Sequence, residues 1–309
     1  MKPKVIVIVG PTASGKTSLS IELAKQIKGE IISCDSMQIY KDMDIGSAKP
    51  TKEMQGIKHY IIDEVLPTER FSVARYKQEA EKAIEEILKK GKTPIVVGGT
   101  GLYANSLIYG IEYDDIKLDE KYREELMKIA ETQEGLEKLY NEAKKIDEKA
   151  TEKISPNDKK RIIRILEIYK ATGKNKTEQE IESRKKEVKY DYKIFGINIE
   201  RPILYERINK RVDIMIDQGL IEEVKKLIKK YPEFPTAMQA IGYKEIVEYL
   251  NNELSLEEAI EKIKQETRRY AKRQITWFKR IENLKWLDGL EKTQNNINII
   301  LEVMNWVKL

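Results

Sequence analysis

The sequence is poor in the residues that build disulfides and zinc sites. Its 309 residues include one cysteine, Cys34, and one histidine, His59. A single cysteine excludes an intramolecular disulfide, and the two residues together are too few for a site of cysteine and histidine ligands. Any metal ion that the protein binds must therefore be held by oxygen ligands.

Long apolar runs are also missing. The longest early run, residues 5–9, is too short for a membrane span or a signal-peptide core and is typical of a buried strand. With 40% hydrophobic and 35% charged residues, the composition indicates a globular protein rich in exposed helix, which we expect to be cytoplasmic. The net charge of +5 is mild, so a polyanionic partner is indicated only where basic residues cluster.

The segment GPTASGKT, residues 10–17, matches the phosphate-binding pattern G-x-x-x-x-G-K-[ST]. It follows a predicted strand, residues 4–10, and opens a predicted amphipathic helix, residues 16–27, which is the context that such a loop requires. There the backbone N–H groups can form an anion nest, Lys16 adds a positive charge, and the Thr17 hydroxyl can ligate Mg²⁺. The pattern predicts phosphate binding but does not identify the phosphate compound.

Further strand-like runs alternate with helical stretches, which is typical of a parallel sheet covered by helices on both faces. These runs are residues 30–36, 59–63, 93–98 and 193–199, with a short last one at 284–287. We therefore expect an α/β fold with a P-loop, nucleotide-kinase-like parallel sheet. Residues 113–189 break the alternation and are helical in period, so they are predicted to form a helical insertion between core segments 1–112 and 190–309.

The acidic residue that usually completes a P-loop nucleotide site is absent from the glycine-rich strand. A second strand of such enzymes normally ends in an acid that holds Mg²⁺, but PIVVGGTG, residues 94–101, ends in glycines and Thr100. These glycines would allow a ligand to approach the backbone closely. Asp35 follows another strand and should face the phosphate loop at the carboxyl edge of the sheet. It is thus the best catalytic candidate, with a simple turn cap as the alternative.

Two arginines lie one turn apart on the predicted helix 201–215. Arg207 and Arg211 border its apolar stripe, where guanidinium groups would suit a diphosphate. Ion pairing with Glu206 or Asp213 is the alternative for Arg207, so Arg211 is the stronger candidate.

Two basic segments are predicted to be helical. In TRRYAKRQITWFKR, residues 267–280, Arg269 and Arg273 share one face, and NDKKRIIRILEIY, residues 157–169, begins with a basic cluster. Such a run of basic residues usually forms a solvent-exposed helix face. Interleaved aromatic residues such as Tyr270 favour RNA, because Arg and Lys bind phosphates while aromatic rings stack on bases.

Taken together, these motifs resemble those of the tRNA dimethylallyltransferases, also called tRNA isopentenyltransferases, in their bacterial form. The matching stretches follow the family's order: GPTASGKT, ISCDSMQIYKDMDIGSAKP, PIVVGGTGLY, NDKKRIIRILEIY, LYERINKRVDIM, AMQAIGYKE and RYAKRQITWFKR. The resemblance implies transfer of a dimethylallyl group from dimethylallyl diphosphate to a tRNA. The acceptor would be N6 of the adenosine immediately 3′ of the anticodon, in tRNAs that read codons beginning with U.

The resemblance also implies roles for individual residues. Asp35, Thr100 and Arg211 would be catalytic, with Asp35 accepting the N6 proton and Arg211 on the diphosphate, while Thr17 would ligate Mg²⁺. The loop residues that would bind the diphosphate are Gly10, Pro11, Thr12, Ala13, Ser14, Gly15, Lys16 and Thr17. The residues that would bind the anticodon stem-loop are Asp35, Ser36, Met37, Gln38, Thr100, Arg123, Lys159, Lys160, Arg161, Ile162, Ile163, Arg269 and Arg273. We expect a monomer that does not contact a membrane.

Other functions stay open from the sequence. A small-molecule P-loop kinase would bind ATP in the loop, and an adenylate isopentenyltransferase would use free AMP or ATP as acceptor. Neither has a use for the basic helices. A noncatalytic RNA-binding module would not need an intact Lys16, Thr17 and Asp35.

Overall fold

A computed structural model describes residues 2–50, 54–113, 119–185 and 187–305 of the chain. The chain divides into two compact units, Met1–Ile108 with Lys189–Leu309, and Tyr109–Val188. The insertion predicted at 113–189 includes residues 114–118 and 186, which lie outside the described residues.

A single parallel sheet organises the described part of the first unit. Its strands are β1 (Lys4–Val9), β2 (Gly29–Ser33), β3 (His59–Tyr60), β4 (Thr93–Gly98), β5 (Asp191–Asn198) and β6 (Lys285–Asp288). Their order in space is β3-β2-β4-β1-β5-β6, and Ile8 of β1 pairs with Val97 on one side and Phe195 on the other. The predicted α/β sheet is confirmed. The strand order reverses at β1, which is where ligands of open parallel sheets bind.

Helices connect these strands and build the second unit. They are α1 (Lys16–Ile27), α2 (Val73–Lys89), α3 (Gly101–Ile108), α4 (Glu120–Ile129), α5 (Gln133–Ile146), α6 (Glu148–Thr151), α7 (Lys159–Thr172), α8 (Lys176–Arg184), α9 (Arg201–Asp217), α10 (Leu220–Lys230), α11 (Tyr243–Leu250), α12 (Leu256–Phe278) and α13 (Thr293–Val303). None of those in the described ranges is long and apolar enough to cross a membrane.

The sheet is covered on both faces. Residues Val5–Val9 are all buried, and successive side chains of a strand point to opposite faces, so both sides of β1 must be packed. Helices α1 and α13 pack against each other, as do α2 and α3, and α1, α2 and α3 all contact strands. The helices cover the two faces of the sheet, and the loops that follow the strands lie at its carboxyl edge.

The second unit is a small helical body with its own core. Leu126 of α4, Leu139 of α5 and Leu166 of α7 are buried in this core. Helix α7 is capped by Asp158, whose carboxylate accepts a hydrogen bond of 3.1 Å from the backbone N–H of Arg161. The cap therefore fixes the start of the helix that carries the predicted basic cluster.

Candidate active site

A cavity of about 430 Å³ lies at the carboxyl edge of the sheet in the first unit. Its walls come from the loops that follow β1, β2 and β4 and from helices α9 and α12. It brings together many of the residues predicted from the sequence, namely Thr12, Lys16, Thr17, Asp35, Ser36, Met37, Gln38, Arg211 and Arg273. A phosphate loop and a lone carboxylate thus share one cavity, as the strand pattern predicts.

The phosphate loop has the geometry of an anion site. Ala13 (φ 61°) and Gly15 (φ 87°) adopt left-handed conformations, which turn successive N–H groups toward a common point. Helix α1 begins after Gly15 without a side-chain cap, so its first N–H groups remain available to an anion. Ser14 Oγ is buried and lacks a hydrogen-bond partner among the described residues. Each feature favours a bound phosphate group.

Lys16 is held over this loop. Its Nζ donates a hydrogen bond of 2.6 Å to the carbonyl oxygen of Pro11. Burial and, to a smaller extent, the neighbouring Arg211 guanidinium lower the pKa of Lys16 to about 7, against the raising effect of Asp35. An arriving diphosphate would favour the charged form of this ammonium group.

Asp35 stands at the turn that follows β2. Its Oδ1 accepts hydrogen bonds from the backbone N–H groups of Met37 (2.9 Å) and Gln38 (3.4 Å). Burial raises the pKa of Asp35, against the lowering effect of the Met37 hydrogen bond and the charges of Lys16 and Arg211. The carboxylate therefore caps its turn and also faces the cavity, so the two interpretations of this residue do not exclude each other.

The glycines after β4 serve packing inside the protein. A Cβ at Gly98 would lie 2.0 Å from the carbonyl oxygen of Cys34, and one at Gly101 would meet the ring of Trp277 at 2.3 Å. Gly98 and Gly99 also line the cavity, so the sequence interpretation, that these glycines let a ligand approach the backbone, stays a prediction beside this packing role. Because these protein segments lie so close, Thr100 Oγ1 can accept a hydrogen bond of 3.0 Å from the N–H of Ser36. It thereby holds the backbone that follows Asp35.

Gln274 of α12 was not recognised from the sequence, yet it connects two walls of the cavity. Its Oε1 accepts a hydrogen bond of 2.9 Å from the Thr12 N–H, and its Nε2 donates one of 2.8 Å to the Gly99 carbonyl. Only 5% of its surface is exposed. The available signal was its helical position three residues after Ala271 and four before Phe278, both of which are buried.

The predicted arginines differ in their placement. Arg211 lines the cavity, with Nη1 3.5 Å from Thr12 Oγ1, whereas Arg207 is exposed. Arg273 also lines the cavity, and Arg269 is exposed and paired with Glu266. Of these four arginines, Arg211 and Arg273 are thus the two placed to meet a ligand in the cavity.

In the second unit, the predicted RNA-binding segment divides into two kinds of residue. Lys160 and Arg161 are exposed at the start of α7, while Ile162 and Ile163 are 0% exposed within the helical core. The isoleucine side chains pack in the helical core, so the exposed basic residues provide the surface charge of this segment. Arg123 binds the buried Glu167 carboxylate at 3.0 and 3.2 Å.

The chemistry of the cavity fits Mg²⁺ only together with a phosphate ligand. No group of three His, Cys, Asp or Glu residues that could hold a metal occurs in the part of the chain that is described. Thr17 lines the cavity and offers its hydroxyl oxygen as a ligand. Mg²⁺ commonly binds through few protein oxygens, substrate phosphates and waters, and the hydroxyl group of a phosphate loop matches that pattern.

Known proteins resemble this chain over nearly its full length. The family model described as IPP transferase matches residues 38–281. A tRNA dimethylallyltransferase of Acetivibrio thermocellus is 54% identical over 96% of this chain and 97% of its own length. The structure resembles a full-length tRNA isopentenylpyrophosphate transferase from Bacillus halodurans, with 44% identity, a TM-score of 0.73, and coverage of 98% and 96% of the two chains. It also resembles a eukaryotic dimethylallyltransferase acting on tRNA, with 34% identity, a TM-score of 0.82, and coverage of 99% and 81%. From the matched residues and the extent of this similarity it follows that the chain belongs to the IPP transferase family.

Proposed function

We propose that the protein transfers a dimethylallyl group from dimethylallyl diphosphate to a tRNA. The acceptor is N6 of the adenosine immediately 3′ of the anticodon in tRNAs that read codons beginning with U, and the products are N6-dimethylallyladenosine and diphosphate. Relatives named tRNA dimethylallyltransferase that match nearly the full chain support this assignment. The single observation that carries it is the presence of a phosphate loop and Asp35 in one cavity.

On the donor side, the chain provides a positively charged cradle. The N–H groups at the start of α1 would donate hydrogen bonds to the diphosphate oxygens, with Lys16 and Arg211 beside them. As the bond between C1 of the dimethylallyl group and the diphosphate oxygen breaks, negative charge grows on the leaving group. Fixed donors and cations at that position stabilise the charge without reorganising.

On the acceptor side, Asp35 supplies the base. The exocyclic amine of adenine is a weak nucleophile, because its lone pair is delocalised into the ring. As the bond between N6 and C1 forms, one N6 proton passes to the Asp35 carboxylate, and the diphosphate leaves with the electrons of the broken C–O bond. The raised pKa of Asp35 makes it a stronger base than an exposed aspartate.

Access to that amine requires the adenosine to leave the stack of its loop. Ser36, Met37 and Gln38 line the cavity beside Asp35 and would contact the extruded base. Arg273 lies at the same cavity, with its guanidinium 5.7 Å from the centre of the Tyr270 ring. This pairing of a cation with an aromatic ring suits a nucleotide.

Mg²⁺ is part of the proposal. Thr17 would hold it together with diphosphate oxygens and water, and when bound it would neutralise charge on the leaving group.

The molecule that accepts the dimethylallyl group distinguishes the proposed function from its alternatives. We would incubate the protein with radiolabelled dimethylallyl diphosphate, Mg²⁺ and an unmodified tRNA with adenosine immediately 3′ of its anticodon. The matched control is the same tRNA with guanosine at that position, and AMP is offered in a third reaction. The proposal predicts label in the adenosine tRNA alone.

Label on AMP with none in RNA would instead identify an adenylate isopentenyltransferase. Phosphoryl transfer from ATP to a small hydroxyl compound, without prenyl transfer, would identify a kinase. Either result would overturn the tRNA assignment.

A further inference from the structure

Glu223 of α10 makes an unusual set of hydrogen bonds to the loop that follows β2. Its Oε2 accepts from the backbone N–H groups of Asp44 (3.0 Å) and Ile45 (2.8 Å), and its Oε1 from that of Gly46 (3.2 Å). The Tyr243 hydroxyl donates a fourth hydrogen bond, of 2.7 Å, to Oε1. The carboxylate thus fills an anion nest built by three successive residues of its own chain.

Close packing around this carboxylate restricts the movement of the loop that it binds. Tyr243 is fully buried, and a Cβ at Gly46 would lie 2.5 Å from its ring, so the ring and the loop backbone are in close contact. The Tyr243 hydroxyl also receives a hydrogen bond from the backbone of Ser47. Glu223 and Tyr243 therefore bind the same short segment, residues 44–48, which we call the 44–48 loop.

The 44–48 loop is a wall of the active-site cavity. Gly46, Ser47 and Ala48 line it. The carbonyl oxygens of Ser47 and Ala48 accept hydrogen bonds of 3.5 and 3.2 Å from Gln38 Nε2. The loop that Glu223 holds therefore sets the orientation of the Gln38 side-chain amide.

Gln38 connects this loop to the proposed base. Its backbone N–H lies 3.4 Å from Asp35 Oδ1, and its Oε1 accepts a hydrogen bond of 3.1 Å from Ser33 Oγ at the end of β2. A continuous series of hydrogen bonds thus runs from Glu223 through the 44–48 loop and Gln38 to Asp35. The phosphate loop is not part of this series.

We propose that Glu223 is a positioning residue for the acceptor side of the site, holding the 44–48 loop so that Gln38 places the acceptor adenosine against Asp35. This inference rests on the proposed function. It implies that disturbing Glu223 slows transfer and weakens tRNA binding while leaving the diphosphate site intact. It also implies that Glu223 acts at a distance, through the loop and not by touching either substrate.

The test uses Glu223→Gln. The amide keeps one acceptor oxygen but turns an NH₂ group toward donors that need an acceptor, so the nest is disrupted with little change in volume. Glu222→Gln is the matched control, because Glu222 is exposed on the same helix and pairs with Lys225. Lys49, whose side chain is buried, anchors the loop independently through the Tyr40 carbonyl and the Asp44 carboxylate, so the variant should remain folded.

Four readouts distinguish a positioning role from a purely structural one. Single-turnover transfer at saturating tRNA should fall about 10-fold to 100-fold in Glu223→Gln, and the Kd for tRNA should rise, while the Kd for inorganic pyrophosphate stays within about twofold. Hydrogen exchange of the backbone amides of residues 44–46 should become faster. Glu222→Gln should match the wild type in all four.

A wild-type rate and tRNA affinity in a folded Glu223→Gln variant would overturn the positioning role, whatever its thermal stability. If that variant does not fold, Tyr243→Phe tests the same contact, because it removes one donor and leaves the nest. It should give a smaller loss of the same kind, and unchanged transfer would likewise contradict the inference. A wild-type protein that prenylates no tRNA would contradict the proposed function instead.

Discussion

At the scale of single residues, opposed charges in one cavity shape the chemistry. Lys16 and Asp35 each face the other's charge, yet burial pushes both toward their neutral forms, lowering the pKa of Lys16 and raising that of Asp35. Arg211 strengthens the effect on Lys16 and weakens it on Asp35. Without a ligand, the site therefore contains an ammonium group that is close to losing its proton at neutral pH.

This state of Lys16 predicts proton uptake when a diphosphate binds. Because its pKa is about 7, Lys16 is charged below pH 7 and largely neutral at pH 8, where an anion must draw a proton onto it. Affinity for pyrophosphate should therefore weaken as the pH rises above 7. Calorimetric titration with pyrophosphate at pH 8, in buffers of different ionisation enthalpy, would measure the uptake.

Lys16→Arg is the control, because a guanidinium group stays charged at this pH. The wild type should take up roughly one proton more than this variant. Equal uptake by the two proteins would show that Lys16 is already charged in the free protein.

At the scale of elements, the sequence predicted local structure well where a pattern repeats along the chain. The helix predicted at residues 16–27 is α1, because its apolar spacing and the preceding glycine act within a few residues. The strand predicted at 59–63 is only His59–Tyr60, since Ile61 and Asp63 adopt positive φ and turn the chain. Such conformations depend on the loop's surroundings and leave no periodic signal.

Helix α12 shows what local patterns cannot reveal. Gln274 binds the phosphate loop through a residue 262 positions away and the end of β4 through one 175 positions away. A polar residue within a basic helix gives no sign of either partner. The ion pair of Arg123 with Glu167 was also missed, because it too depends on which surfaces the fold brings together.

The connection through Gln274 predicts a paired loss of stability and binding. In Gln274→Glu the donor to the Gly99 carbonyl is replaced by a carboxylate oxygen, so a buried acceptor loses its partner. The free energy of unfolding should fall by about 1–3 kcal/mol, and pyrophosphate should bind more weakly because the Thr12 backbone is less well held. Urea denaturation and calorimetry would measure the two effects.

Gln265→Glu is the matched control, since Gln265 is exposed on the same helix. Its stability and pyrophosphate affinity should stay close to those of the wild type. Equal stability of the two variants would mean that the bridge between the phosphate loop and β4 contributes little to the fold.

At the scale of the whole molecule, the fold class and the reaction class could be predicted from the sequence alone, whereas the geometry of the site could not. A buried strand followed by a glycine loop and a helix predicted the parallel sheet. Because no acidic residue follows β4, Asp35 was the best catalytic candidate. The residues that hold the site together, Glu223 and Gln274, became visible only from the folded chain. Their partners are distant in sequence, and the pairings arise from topology alone.

The central claim is that Asp35 takes the proton of the acceptor amine in a cavity whose phosphate loop holds the leaving group. Asp35→Asn tests it directly, because the amide oxygen can still accept the hydrogen bonds from Met37 and Gln38 but cannot serve as a base. The measurement is single-turnover transfer of labelled dimethylallyl to saturating tRNA, with tRNA affinity determined in parallel. The account predicts a rate about 10²-fold to 10⁴-fold below that of the wild type, with tRNA affinity within about twofold. Transfer at the wild-type rate by Asp35→Asn would contradict it.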